Sequence, residues 1–339
     1  MEKQFIAEIK ELIATPKHIV IVPHKNPDGD AIGSSLGLYH YLLKYDHSIN
    51  IIAPNDYPGF LKWMPDEDLI LKFDAHRDKC IPILEAAELI FTLDFNALNR
   101  TGDLEPYLSK SKASMIMIDH HQQPEDYAKF TYSDVSMSST CEMVYNFIAF
   151  LDDQDKIDQH IATCLYTGIM TDTGSFRFDS TTSQTHRIVA DLMDKGAQNS
   201  KIHNAVFDTN SYNRMQLLGC ALRNLKVIPE FRTAYISLSQ EELNTYKFQK
   251  GDTEGFVNYA LSLEHVVFAA IFIEDQKQGI IKVSLRSSGS FSVNEFSRSH
   301  FDGGGHINAA GGKSEMKLDE TIEKFISILP SYKNALNHE

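Results

Sequence analysis

Two apolar runs of strand length end in the same chemistry. His18-Ile19-Val20-Ile21-Val22 runs into His24-Lys25-Asn26-Pro27-Asp28-Gly29-Asp30, and Ser114-Met115-Ile116-Met117-Ile118 runs into Asp119-His120-His121. Apolar runs alternating with amphipathic stretches dictate strands covered by helices, and in such α/β folds ligands gather at the carboxyl ends of parallel strands. Both runs therefore deliver imidazole and carboxylate to the place where a ligand site is expected. The residue types are those of metal ligands.

The alternation extends over the first two-thirds of the chain. Strands are predicted at 19–22, 49–53, 89–93 and 115–118, with a helix over 30–44, which gives an α/β class with a doubly wound, mostly parallel sheet. Helical periodicity follows at 141–151, 160–170, 182–195 and 211–227, and Gly196 reads as a helix stop. After Pro229 the pattern restarts with a strand at 233–238 and helices at 240–245 and 253–263. A hairpin pairs 266–273 with 280–285, and a final helix spans 318–329. At 339 residues the chain has room for two cores. We expect one domain over 1–209, a helical linker over 210–228 and a smaller α/β domain over 229–339, with the active site in the cleft between the two.

The formal charge of −14 argues against a surface for long DNA or RNA, whose sequence-independent binding needs many Lys and Arg contacts. A short phosphorylated substrate stays open, because bound cations can reverse the local potential. No apolar run approaches the roughly 18 residues of a membrane span, so no membrane association is expected. The N-terminal segment is charged and amphipathic, without a signal core, which makes the cytoplasm the default compartment. Cys80, Cys141, Cys164 and Cys220 are widely spaced and read as reduced, buried thiols.

His24, Asp28 and Asp30 share a turn that Pro27 and Gly29 keep tight, so three side chains can aim at one point. Asp94 follows the 89–93 strand, His120 the 115–118 strand, and Asp172 an apolar helix. Any one of these aspartates alone reads as a turn or helix cap. Together, four carboxylates and two imidazoles at successive element ends need cations to coexist. A donor set without thiolate favours Mn²⁺ first and Mg²⁺ or Co²⁺ after it, while softness alone leaves Zn²⁺ and Fe²⁺ open. The count suits two ions sharing a carboxylate. Two ions roughly 3.5–4 Å apart can hold a bridging hydroxide as nucleophile and stabilise the leaving oxygen of an in-line displacement at phosphorus.

These residues resemble the DHH phosphoesterase superfamily. His24 to Asp30 is similar to its first motif, Leu93-Asp94 to its second, Asp119-His120-His121 to its third and Thr171-Asp172-Thr173-Gly174 to its fourth. The resemblance implies that His24, Asp28 and Asp94 hold one ion, that Asp30, Asp94, His120 and Asp172 hold the other, and that Asp94 bridges. It further implies that His121 polarises the scissile phosphate while Asp119 supports its neighbour. Val283-Ser284-Leu285-Arg286-Ser287-Ser288 and Gly303-Gly304-Gly305-His306 resemble the substrate-binding parts of the DHH-associated C-terminal domain. Arg286, Ser287, Gly303, Gly304, Gly305 and His306 are accordingly candidate phosphate contacts, and Arg100 is a further one.

The compact architecture resembles the bacterial nanoRNase and pAp phosphatase branch, which implies hydrolysis of short oligoribonucleotides to mononucleotides, of pAp to AMP, or both. Hydrolysis of pApA or cyclic di-AMP is the alternative. Inorganic pyrophosphatase lacks the Gly-Gly-Gly-His segment, and a non-catalytic nucleotide-binding regulator would not retain every metal ligand. A structural protein with incidental acidic loops would not pair the two sets of motifs. A homodimer is the expectation from the frequency of symmetric assemblies.

Overall fold

The computed structural model describes residues 3–337. The chain divides into two compact units, Met1–Thr209 and Asn210–Glu339.

In the first unit the elements run α1 (Lys3–Ile13), β1 (His18–Pro23), α2 (Gly29–Leu42), β2 (Ser48–Ala53), β3 (Leu71–Lys72), α3 (Arg77–Ala86) and β4 (Leu89–Leu93). They continue as α4 (Glu105–Leu108), β5 (Ser114–Asp119), β6 (Phe130–Ser133), α5 (Thr140–Phe150), α6 (Gln159–Asp172), α7 (Ser183–Asp194) and α8 (Asn199–Phe207). The sheet has the order β3-β2-β1-β4-β5-β6 with every pairing parallel. Alternate side chains of β1 divide between the two faces. Ile19 and Ile21 join the core under α2, α5 and α6, while Val20 and Val22 join the one that holds Cys80 and Leu84 of α3. The strand order reverses between β1 and β4, and such a switch point opens a crevice at the strands' carboxyl ends.

The crevice is bounded by α2 and α6, which pack closely because glycines face the contact. A Cβ on Gly168 would lie 2.1 Å from Cys141 Sγ and 3.0 Å from Asp30 Oδ1. Asp28 starts α2 by accepting the backbone N–H groups of Asp30 and Ala31 on Oδ1 at 3.0 and 3.1 Å. Ser139 caps α5 in the same way, accepting from Glu142 N at 3.0 Å.

The second unit runs α9 (Tyr212–Asn224), β7 (Lys226–Ile228), β8 (Thr233–Leu238), α10 (Gln240–Thr245), α11 (Phe256–Leu261), β9 (Phe268–Asp275) and β10 (Ile280–Ser287). It ends with α12 (Val293–His300), β11 (Gly304–Gly305), β12 (Ala309–Ser314), α13 (Leu318–Ile328) and α14 (Lys333–Asn337). Its sheet has the order β11-β12-β10-β9-β8-β7 and is mixed, with β8 and β9 parallel and the hairpin β9-β10 antiparallel. One face is an aromatic core that includes Phe268, Phe272, Phe296 and Phe325. The other is covered by α9 and α11.

The segment read as a linker is thus an element of this unit. Leu217, Leu218, Cys220 and Ala221 of α9 are buried against Ala234 and Ile236 of β8, which fixes the helix to the sheet. The helix expected over 253–263 is shorter because Gly255, at φ +79°, delays its start. All four cysteines are free and buried.

Candidate metal centre

Six side chains from four places in the sequence converge at the carboxyl edge of the parallel sheet. His24 Nε2 lies 3.4 Å from Asp94 Oδ2 and 3.9 Å from Asp28 Oδ2. His120 Nε2 lies 3.5 Å from Asp94 Oδ1, 3.5 Å from Asp172 Oδ2 and 3.8 Å from Asp30 Oδ2. The donor atoms of His24, Asp28 and Asp94 fall within 4.8 Å of one another, as do those of Asp30, His120 and Asp172. Asp94 stands between the groups with one oxygen toward each histidine. Its backbone is left-handed at φ +66°, a conformation that costs a non-glycine residue energy.

The tautomers follow from the partners. A backbone carbonyl can only accept, so His24 Nδ1 donates to Lys25 O at 2.8 Å and His120 Nδ1 donates to Met137 O at 3.1 Å. Each Nε2 is thereby turned to the carboxylates, the orientation that metal-ligating histidines take when their other nitrogen is anchored. Asp28 serves two ends at once, its Oδ1 capping α2 and its Oδ2 facing His24. Asp30 receives the backbone N–H groups of Thr140 and Cys141 at 2.6 and 2.8 Å, at the amino end of α5 where the helix dipole favours an anion. Thr140 Oγ1 donates to Asp94 Oδ1 at 3.0 Å.

Burial and crowding perturb these groups in opposite directions. Burial and the negative charges of Asp94 and Asp172 push the Asp30 carboxyl well above its usual range. Burial would raise Asp94 too, but hydrogen bonds from His120 and His24 hold it well below. Burial works against protonation of His120 and His24, yet their hydrogen bonds to Asp94 and the surrounding carboxylate charges outweigh it and raise both. The carboxylates demand compensating positive charge, which divalent cations supply on an oxygen-rich, thiolate-free donor set of this kind. The residues therefore fit two divalent ions.

Asp119 and His121 adjoin this centre. His121 Nδ1 donates to Asp119 Oδ1 at 2.7 Å and lies 3.7 Å from Asp94 Oδ1. Asp119 is fully buried. Arg100 also reaches the neighbourhood. Its charge opposes protonation of His24, and its carbonyl accepts from Lys25 N at 2.8 Å.

In the second unit, Arg286 is half-buried on β10 and donates to Leu285 O at 3.0 Å. The Ser287 hydroxyl donates to Phe291 O at 2.6 Å and accepts from Asn308 Nδ2 at 2.9 Å, which fastens the turn after β10. The glycines are likewise a packing device. Gly304 and Gly305 form β11 against Gly311 and Ala310, and a Cβ on Gly303 would lie 1.9 Å from Gly311 O. Gly305 sits at φ +152° and donates its N–H to Asn294 Oδ1 at 3.0 Å. His306 follows in the tight turn to β12, donating N–H to Ala309 O at 2.7 Å.

Sequence reasoning missed Thr140, Cys141 and Met137, whose backbone and hydroxyl groups orient Asp30, Asp94 and His120. The available signal was Ser138-Ser139-Thr140 ahead of an apolar helix, a helix-start pattern with Glu142 at the third helical position. It also missed Arg298, whose Nε lies 3.5 Å from where a Gly304 Cβ would be.

Residues 18–169 match the DHH family N-terminal domain and residues 235–332 the DHHA1 domain. The chain is 30% identical to a bifunctional oligoribonuclease and PAP phosphatase of Thermus thermophilus over 325 residues, covering 95% of this chain and 92% of that protein. A protein of the same description from Bacillus subtilis is 26% identical, with 90% and 91% covered. The crystal structure of an exopolyphosphatase-related protein from Bacteroides fragilis superposes with a TM-score of 0.94 at 40% identity, covering 99% of this chain and 98% of that one. With both domains matched in order, and with a relative of that identity aligned along nearly its whole length, this chain belongs to the DHH family of phosphoesterases.

Proposed function

We propose that the protein hydrolyses short oligoribonucleotides to mononucleotides and pAp to AMP, using two divalent cations with Mn²⁺ foremost. The observation that carries this reading is Asp94, which presents Oδ2 to His24 and Oδ1 to His120 and so joins two ligand groups into one binuclear set. His24, Asp28 and Asp94 would hold the first ion, and Asp30, Asp94, His120 and Asp172 the second. Bound there, the pair would supply Lewis acidity toward phosphoryl oxygens and lower the pKa of an attacking water. The names of the Thermus and Bacillus relatives support the substrate class.

The remaining work falls to the chain's own groups. Asp119 anchors Nδ1 of His121, which orients that imidazole for its role of polarising a phosphoryl oxygen. The backbone N–H groups of Thr140 and Cys141 at the start of α5 orient the Asp30 carboxyl toward His120. Arg100 adds positive charge beside His24 and draws an anionic substrate in. In the DHHA1 domain, Arg286, with His306 and the frame made by Gly303, Gly304 and Gly305, captures a terminal phosphate of the substrate. Such capture limits the enzyme to short substrates and converts binding into orientation.

Purified protein supplied with Mn²⁺ should release mononucleotides from a dinucleotide and a five-residue RNA and convert pAp to AMP, while a long single strand is cut far more slowly. Cleavage of pyrophosphate alone, or of cyclic di-AMP or pApA alone, would displace this reading. Arg286→Ala should raise KM for short RNA by about ten-fold or more with little change in kcat, the loss expected of a charge-assisted hydrogen bond.

A further inference from the structure

The helix pair that carries Asp30 and Asp172 at one end carries a second constellation at the other. His40 lies ten residues beyond Asp30 on α2, and His160 lies twelve residues before Asp172 on α6. At 1.5 Å per residue these offsets correspond to about 15 and 18 Å along the helices, well clear of the first centre. Asp66 comes from the loop between β2 and β3, held in a left-handed conformation at φ +59°. Donor atoms of His40, Asp66 and His160 lie within 4.8 Å of one another. His40 Nε2 is 3.8 Å from Asp66 Oδ2 and donates to Pro65 O across a long 3.4 Å, a bond that an ion on Nε2 would replace, and the His40 and His160 rings meet edge to face with centroids 5.1 Å apart.

We infer that His40, Asp66 and His160 form a third cation site, selective for a borderline transition ion of the Zn²⁺ class and separate from the phosphoesterase centre. Two imidazoles and one carboxylate suit Zn²⁺ over Mn²⁺ or Mg²⁺, the reverse of the carboxylate-rich first centre. Three protein ligands and a water complete a tetrahedral shell. With ligand bonds near 2.0–2.2 Å, neighbouring donors in such a shell sit about 3.3 Å apart, so the three need only a small contraction. His160 and Asp66 are exposed beside His40, which is 5% exposed. Burial holds the His40 imidazole below its usual pKa, which keeps it neutral.

The neighbouring carboxylate is engaged elsewhere. Asp158 caps α6 through His160 N and Ile161 N and pairs with Lys44, leaving Asp66 as the carboxylate ligand. A bound ion would tie the loop before β3 to the α2–α6 pair.

The test is Zn²⁺ stoichiometry after equilibrium dialysis of the full chain and of the His160→Ala and Asp66→Asn variants, both altered at exposed positions. The first centre takes up Zn²⁺ equally in all three proteins, so the difference reports the new site alone. We expect each variant to bind one ion fewer per chain and to lose part of the rise in Tm that Zn²⁺ gives the native protein. Equal stoichiometry in all three proteins, or a loss in His160→Ala with none in Asp66→Asn, would overturn the assignment.

Discussion

Among single residues Asp94 carries most of the proposed mechanism, because both its oxygens face histidines and its backbone is left-handed. Asparagine tolerates the left-handed region and keeps the side chain's shape, so Asp94→Asn isolates the charge. We expect this variant to fold, as judged by circular dichroism, and to lose more than about a hundred-fold in Mn²⁺-supported turnover. That exceeds the 10–100-fold typical of residues that only orient a metal ligand, the part Thr140 would play for Asp94. A second prediction concerns the glycine run. Gly303→Ala forces a Cβ into the Gly311 carbonyl and should destabilise the second unit by about 1–3 kcal/mol, as overpacking does. At Gly304 an alanine Cβ would meet Asn294 Oδ1 at 3.4 Å and is nearly free, so urea denaturation should separate the two variants. The six residues that converge in the first unit were legible because each closes an apolar run or lies in the turn that follows one. Thr140 and Cys141 were not, since they act on Asp30 through backbone N–H groups that any residue type provides.

At the scale of elements, apolar runs of four to six residues gave β1, β2, β4, β5 and β8 to within a residue or so at each end. The two-residue strand β3 and the strand Ala309–Ser314, with its alanines and glycines, carry no such signature, and their pairing depends on neighbours distant in sequence. Helix α9 was read correctly as a helix and incorrectly as a connector, because periodicity reports an apolar face without saying which core receives it. The far ends of the helices hold a testable joint. Asp153 accepts from Tyr41 at 2.6 Å and from Tyr45, and pairs with Lys156 at 2.9 Å, bracing the loop before α6 against α2. Burial opposes its charge, but these donors win and lower its pKa below 3.8. A lowered carboxylate contributes its stability above that unperturbed value and loses it as pH falls through the folded-state value. Asp153→Ala should therefore cost about 1–3 kcal/mol at neutral pH, where the buried Tyr41 hydroxyl loses its carboxylate acceptor and keeps only its contact with the Tyr45 hydroxyl. Denaturation at successive pH values should show the gap to the native protein narrowing below about pH 4.

For the whole molecule, two units with separate cores imply two separable responses. Phe325 is fully buried among Phe268, Phe272 and Phe296, and truncating it should remove about 3–5 kcal/mol from the second unit. The single tryptophan, Trp63, lies in the first unit, so its fluorescence follows that unit alone. In Phe325→Ala the far-UV transition should move to lower denaturant while the Trp63 transition stays close to its native midpoint; coincident shifts would show that the units unfold as one. A last consequence concerns the order of assembly. The ligands of the first centre are drawn from positions 24 to 172, and they meet only when β1, β4 and β5 are aligned and α6 has packed on α2. In the proposed scheme a chain that ends before Asp172 could gather His24, Asp28 and Asp94 but would lack a ligand of the second ion. The second cation would then bind only after α6 has packed, closing that helix onto α2 rather than templating the sheet.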